Sequence, residues 1–204
     1  MRIVLLNFYS IMPVTAIYGL GNPGKAYENT RHNMGFRVVD ALAKKMAVSF
    51  SLQSAFKGEF AKVVSSTGTL WLGKPSTYMN LSGECVQAHQ HFHKLKIADA
   101  IVVYDDINLE FGRIKLSLGG SAGGHNGVAN IMQHCGNDFV RVRVGIGQKP
   151  VREMPLADYV LSKLNEEEQK IFEEKIPEII DSIDLIIKKG LPATQNLINR
   201  KPIK

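Results

Sequence analysis

The chain predicts an α/β protein with a mixed sheet, on three observations. Short apolar runs at 14–18, 100–104 and 140–146 have the length and β-branched content of buried strands. Segments of helical period separate them. One pair of extended runs meets at a Ser-Ser-Thr-Gly turn, so at least one hairpin is antiparallel. At 204 residues the chain fits one domain with a full core.

The elements follow in order. Val14 to Tyr18 reads as a strand left through Gly19-Leu20-Gly21-Asn22-Pro23-Gly24. Phe36, Val39, Ala43 and Met46 recur at helical spacing and predict a helix over about 33–46. A polar connection over 49–56 precedes the hairpin strands 58–64 and 69–72, and Gly73-Lys74-Pro75-Ser76 ends the second. Thr77 to Gly83 leads into a helix through about Lys94. The strand 100–104 ends at Asp105-Asp106, and a further strand over 113–118 runs into Gly119-Gly120-Ser121-Ala122-Gly123-Gly124-His125-Asn126-Gly127, then a helix to about Cys135. Alternation of Arg141 and Arg143 with valines predicts a half-exposed strand with both guanidiniums on one face. A short helix over 156–164 follows. Asn165 then caps a long helix to Lys189, with glutamates in its first turn, lysines in its last and a kink expected at Pro177. A last helix, 191–199, leaves a basic tail.

Hydrophobic content of 45% and charged content of 22% are those of an ordinary globular protein. The two cysteines, Cys85 and Cys135, lack partner spacing and read as buried free thiols in a reducing compartment. No run reaches the roughly 18 apolar residues of a membrane span. The net charge is +6, and residues 165–184 hold eight acids and two lysines, which leaves +12 on the rest. That asymmetry suggests a basic surface facing a polyanion, with an acidic helix elsewhere. Residues 1–11, ahead of a second methionine, read as an N-terminal extension or an upstream start, and 12–204 as the domain.

Gly19, Gly21 and Gly24 spell the dinucleotide fingerprint, but its context is wrong. Pro23 and the polar run to Arg31 separate the glycines from any helix, and Asp40 falls within a helix instead of at a second strand tip. What the strand ends do deliver is a set of amide and acid groups: Asn22, Met79-Asn80, Asp105 and His125-Asn126, with His32 at a helix mouth. A carboxylate on one ring nitrogen orients a histidine and stabilises its charged form, so Asp105 beside His32 would make a general base. Asparagines supply donor and acceptor without charge. With no serine or cysteine in a nucleophile-elbow context, the chemistry points to direct attack by water. Taken singly, each such residue is more often structural, serving a turn, a cap or the core; their shared placement at loop mouths is what points to a site. His89, His91 and His93 sit at two-residue steps, which on a helix do not converge on a metal.

Five motifs, GLGNPGKAYENTRHNMGF, KPSTYMNLSG, YDDINLEFGRIKL, GGSAGGHNG and RVRVGIG, stand in order over about 14–147. Through them the chain resembles bacterial peptidyl-tRNA hydrolases. The resemblance implies a single α/β domain, usually monomeric and cytoplasmic, with a mixed, mostly parallel twisted sheet flanked by helices and C-terminal helices over the cleft. It implies hydrolysis of the ester between a peptide and the 3′ ribose of tRNA, without metal or organic cofactor and without a membrane. His32 would be the base that activates water, Asp105 its orienting partner, and Asn22 a holder of substrate and water. Met79 and Asn80 would line the peptide-side cleft, Asn126 would position substrate or water, and Tyr27 would flank the tRNA acceptor end. Ser117 stands where family members often carry a basic residue, so a phosphate clamp would rest on Lys115, Arg141 or Arg143 and the basic tail. The glycine-rich loop 119–124 reads as a mobile gate.

Two other classes compete. A non-catalytic RNA-binding relative, of the kind found among organellar splicing factors, would use the same scaffold without needing a water-activating pair. A nucleotide-dependent enzyme would need the fingerprint context that is missing.

Overall fold

A computed structural model describes residues 13–66 and 68–200. The expected extension 1–11 and most of the basic tail lie outside these residues.

Seven strands form one sheet in the order β2-β3-β4-β1-β5-β7-β6. They are β1 (Ala16–Gly19), β2 (Ser51–Gln53), β3 (Gly58–Ser65), β4 (Gly68–Pro75), β5 (Ala100–Asp106), β6 (Ile114–Leu118) and β7 (Val140–Gly145). β4, β1, β5 and β7 are parallel neighbours, and β3 and β6 run against them. The chain leaves β1 on one side for β4 and on the other for β5, so β1 ends at a switch point, where open sheets bind ligands.

The side-chain period of two sorts the sheet into two cores. Ile17, Ile101, Val103, Val142 and Val144 meet α1 (Met34–Lys45), α5 (Glu166–Lys189) and α6 (Leu191–Ile198) on one face. Tyr18, Val102 and Tyr104 meet α2 (Ser82–His93) and α3 (Asn126–Cys135) on the other. Among the C-terminal helices, α4 (Leu156–Val160) borders the cleft at the strand ends, while α5 and α6 lie against the face shared with α1. α5 starts in a capping box between Asn165 and Glu168 and continues through Pro177. No described helix is long and apolar enough to cross a membrane.

Three expectations are corrected. The polar connection 49–56 contains β2, which pairs only three residues with β3 and leaves Leu52 exposed, so no apolar alternation announces it. β4 continues to Pro75, because β3 supplies a partner along all of it. The strand expected to be half-exposed is almost wholly buried. Both thiols are free, Cys85 buried and Cys135 only half-buried, and burial pushes each up to about 12.

Sheet edges are managed differently at the two ends. β2 is short. On β6, Asn199 Oδ1 accepts the Leu116 N–H at 2.8 Å, and Asn199 Nδ2 donates to the Leu116 carbonyl at 2.9 Å, occupying the outward groups of the strand's central residue.

Candidate active site

His32 sits in a 3₁₀ turn, Arg31–Asn33, between the β1 loop and α1. The turn is held to the sheet by close packing at two glycines. A Cβ at Gly35 would strike Leu20 N and Val103 O, and one at Gly19 would strike the Gly35 carbonyl. Residues 20–30 form no helix, consistent with the absence of a pyrophosphate-binding helix start after β1.

At the end of β5, Asp105 is buried and faces His32: Nδ1 lies 2.9 Å from Oδ1 and 3.1 Å from Oδ2. A second imidazole shares the carboxylate, with His125 Nε2 at 3.2 Å from Oδ1. His125 is the N-cap of α3, where its Nδ1 accepts the Val128 N–H, so its proton resides on Nε2 and points at Asp105. Burial works to raise the Asp105 pKa, but the charges and hydrogen bonds of the two imidazoles outweigh it and hold the carboxyl below its usual range. The Asp105 carboxylate therefore accepts a hydrogen bond from the His32 Nδ1–H, leaving Nε2 for the cleft. Neighbouring Asp106 is engaged elsewhere, with Oδ2 accepting Arg143 Nε at 2.5 Å and Oδ1 accepting the Asn108 N–H at 2.8 Å.

Asn22 is fixed by its neighbours. Its backbone exchanges hydrogen bonds with the Asn33 side chain at 2.8 and 2.9 Å, and its Oδ1 accepts the Met79 N–H at 2.8 Å. That assignment leaves the Asn22 Nδ2 donor to the cleft. The cleft, about 550 Å³, is lined by Asn22, Tyr27, His32, Met79, Asn80 and Asn126, with Tyr78 in edge contact with Tyr27. Its other wall is apolar and comes from α4. No serine or cysteine lines it among the described residues.

Thus His32, Asp105, Asn22, Tyr27, Met79, Asn80 and Asn126 come together. The three cations separate. Arg141 is 2% exposed. Its guanidinium donates to the Ser121 carbonyl at 2.5 Å, the Gly120 carbonyl at 2.8 Å and Asn137 Oδ1 at 2.5 Å. It braces the glycine-rich loop from inside and is not a surface phosphate contact. Lys115 is exposed and lies opposite the partly exposed Arg143 across β6 and β7. The helical placement of His89, His91 and His93 buries His89 and exposes His91. Among described residues the metal-competent grouping is instead His32, Asp105 and His125, whose shared arrangement is that of a hydrogen-bonded relay.

Sequence reasoning missed two participants. His125 entered only as the neighbour of Asn126; its place directly before a helix was the available signal. Arg31 went unremarked because only the fold brings it to Glu168.

An α/β sheet with a carboxylate-paired histidine open to a cleft of neutral amides is an arrangement suited to a hydrolase. The comparisons give the family. The model of the peptidyl-tRNA hydrolase family matches residues 16–204. The peptidyl-tRNA hydrolase of Geobacillus thermodenitrificans is 47% identical over 182 residues, 89% of this chain and 97% of that protein. That of Bacillus subtilis is 42% identical over 186 residues, 91% and 98% of the two chains. The crystal structure of the Acinetobacter baumannii peptidyl-tRNA hydrolase superposes with a TM-score of 0.86 at 33% identity, covering 93% of this chain and 96% of that one. The chain belongs to the peptidyl-tRNA hydrolase family and hydrolyses peptidyl-tRNA.

Proposed function

We propose that His32 is the general base of this hydrolysis, with Asp105 as its orienting partner. With the Nδ1 proton held by Asp105, Nε2 takes a proton from water, and the resulting hydroxide attacks the ester carbonyl. Asn22 Nδ2 is the fixed donor toward the oxygen that gains charge. Collapse of the tetrahedral intermediate breaks the bond to the ribose 3′ oxygen, which recovers the proton from the imidazolium. Met79 and Asn80 line the peptide side, Asn126 positions substrate or water, and Tyr27 flanks the acceptor end. Lys115 and Arg143 supply positive charge for a backbone phosphate. The site is complete within one chain, which supports a monomer, and its substrate is a product of translation, which supports a cytoplasmic protein.

The observation that carries this reading is the 2.9 Å contact of His32 Nδ1 with the buried Asp105 carboxylate, while His32 itself lines the cleft. RNA binding alone has no use for such a pair, so the splicing-factor-like alternative is not favoured. The test is release of acyl amino acid from N-acetyl-aminoacyl-tRNA by the wild type and by His32→Ala. Loss of the base should cost about 10²- to 10⁴-fold in rate. Equal rates would remove His32 from the mechanism.

A further inference from the structure

Arg31, next to His32 in sequence, points away from the cleft floor and is buried beneath α4. Its guanidinium donates to Ser162 Oγ at 2.6 Å and to the Lys163 carbonyl at 2.9 Å, at the C-terminal end of that helix. It also reaches both oxygens of Glu168, at 2.5 and 2.6 Å, and stacks 4.7 Å over the Tyr159 ring. Glu168 is in turn the capping-box residue of α5, with Oε2 accepting the Asn165 N–H at 2.9 Å. Positive charge thus sits at the end of one helix and negative charge at the start of the next, each where the helix dipole favours it. Backbone bonds reinforce the junction: Arg31 N–H to the Ser162 carbonyl at 3.2 Å and Leu164 N–H to the Asn29 carbonyl at 3.1 Å.

On its opposite side α4 turns Leu156, Ala157, Val160 and Leu161 into the cleft, facing the amides of Asn80 and Asn126. An ester carbonyl placed at His32 has an α-carbon carrying two further groups. The acylated nitrogen belongs against the asparagines; the side chain then falls to the apolar wall. We propose that Arg31 and Glu168 are positioning residues, a latch that fixes α4 as the surface receiving the side chain of the esterified residue and so sets acyl-group preference. This rests on the hydrolase reading.

The test compares N-acetyl-leucyl and N-acetyl-glycyl esters on one tRNA body, with wild type, Glu168→Gln and Leu156→Ala/Val160→Ala. Glutamine retains the capping box, so α5 still starts correctly, while the ionic fork to Arg31 is lost. Both variants should lose kcat/KM on the leucyl ester, mostly through KM, so that the leucyl-to-glycyl ratio falls about tenfold. Equal losses on the two esters, or no loss by Glu168→Gln, would overturn the latch. Failure of the wild type to cleave either ester would instead overturn the hydrolase reading, and the latch's role with it.

Discussion

His125 and His32 hold the same oxygen of Asp105, at 3.2 and 2.9 Å. The Val128 N–H occupies the other nitrogen of the first, which turns its Nε2–H toward Asp105 and leaves it no free acceptor for a water proton. It can only help to hold the carboxylate ionised and aimed.

Separating that role from helix capping takes two variants. His125→Asn keeps an N-cap acceptor for Val128 but falls short of Asp105; His125→Ala loses both. Removal of a hydrogen bond to a charged group, about 1.5–3 kcal/mol, should slow either variant by about 10- to 100-fold. Only the alanine variant should also lose up to about 1 kcal/mol of stability. Full activity in His125→Asn would show that Asp105 needs a single imidazole.

Selectivity for N-blocked substrates should depend on the neutrality of Asn80. A free α-ammonium entering a cleft of amides is desolvated without a counter-charge, a cost that an acylated nitrogen avoids. Asn80→Asp supplies the counter-charge. The ratio of kcat/KM for N-acetyl-aminoacyl-tRNA over aminoacyl-tRNA should fall, and an unchanged ratio would assign the discrimination elsewhere.

Gly35→Ala should damage stability and catalysis together. Its added methyl would strike Leu20 N and Val103 O, lifting the start of α1 from the sheet and carrying His32 away from Asp105. Overpacking of this kind costs about 1–3 kcal/mol, readable by urea unfolding. A variant as stable as wild type would mean that the helix yields without strain.

Acid should weaken the fold through His89 before it reaches the Asp105 carboxylate. His89 stacks on Phe60 at 4.1 Å and has its Nδ1 2.9 Å from Tyr18 Oη; burial, then the charge of His93, lowers its pKa to about 3. The unfolded chain takes that proton near pH 6.5. Between the two values the unfolded state binds more protons, so the contribution is complete above about pH 6.5 and lost as pH falls toward 3. Asp105, whose pKa is also lowered, weakens the fold only in the more acidic range below about pH 4. From pH 7 to 4.5 the wild-type Tm should fall more steeply than that of His89→Gln. Parallel slopes would exclude His89 as the group responsible.

Much of this was legible in the sequence for physical reasons. Buried parallel strands such as Ala100 to Asp106 need continuous apolar runs, and α1 and α5 need an apolar stripe, so both were visible as patterns. The strand-end residues His32, Asn22 and Asp105 stood out because ligand sites in open sheets lie there. β2 carries no pattern because its few residues bury no face. Arg141 misled because a guanidinium looks the same in sequence whether it meets water or, as here, three internal acceptors. The Arg31–Glu168 pair spans 137 positions, a relation no local reading contains.

The order of the sheet has a consequence for how the chain is made. Among the described residues β1 is the first strand to leave the ribosome, yet its neighbours are β4 and β5, which emerge only with residues 68–75 and 100–106. Its Ala-Ile-Tyr-Gly segment must therefore wait unpaired while the sheet's outer hairpin, whose contacts are local, can already close. The face that receives Ile17 is finished later still, when α5 brings Phe172, Ile179 and Ile183 onto it. Sheet assembly on an emerging chain can thus start at the β3–β4 hairpin, take in β1 once β4 and then β5 are available, and reach the opposite edge last, because β6 has no partner until β7 follows it.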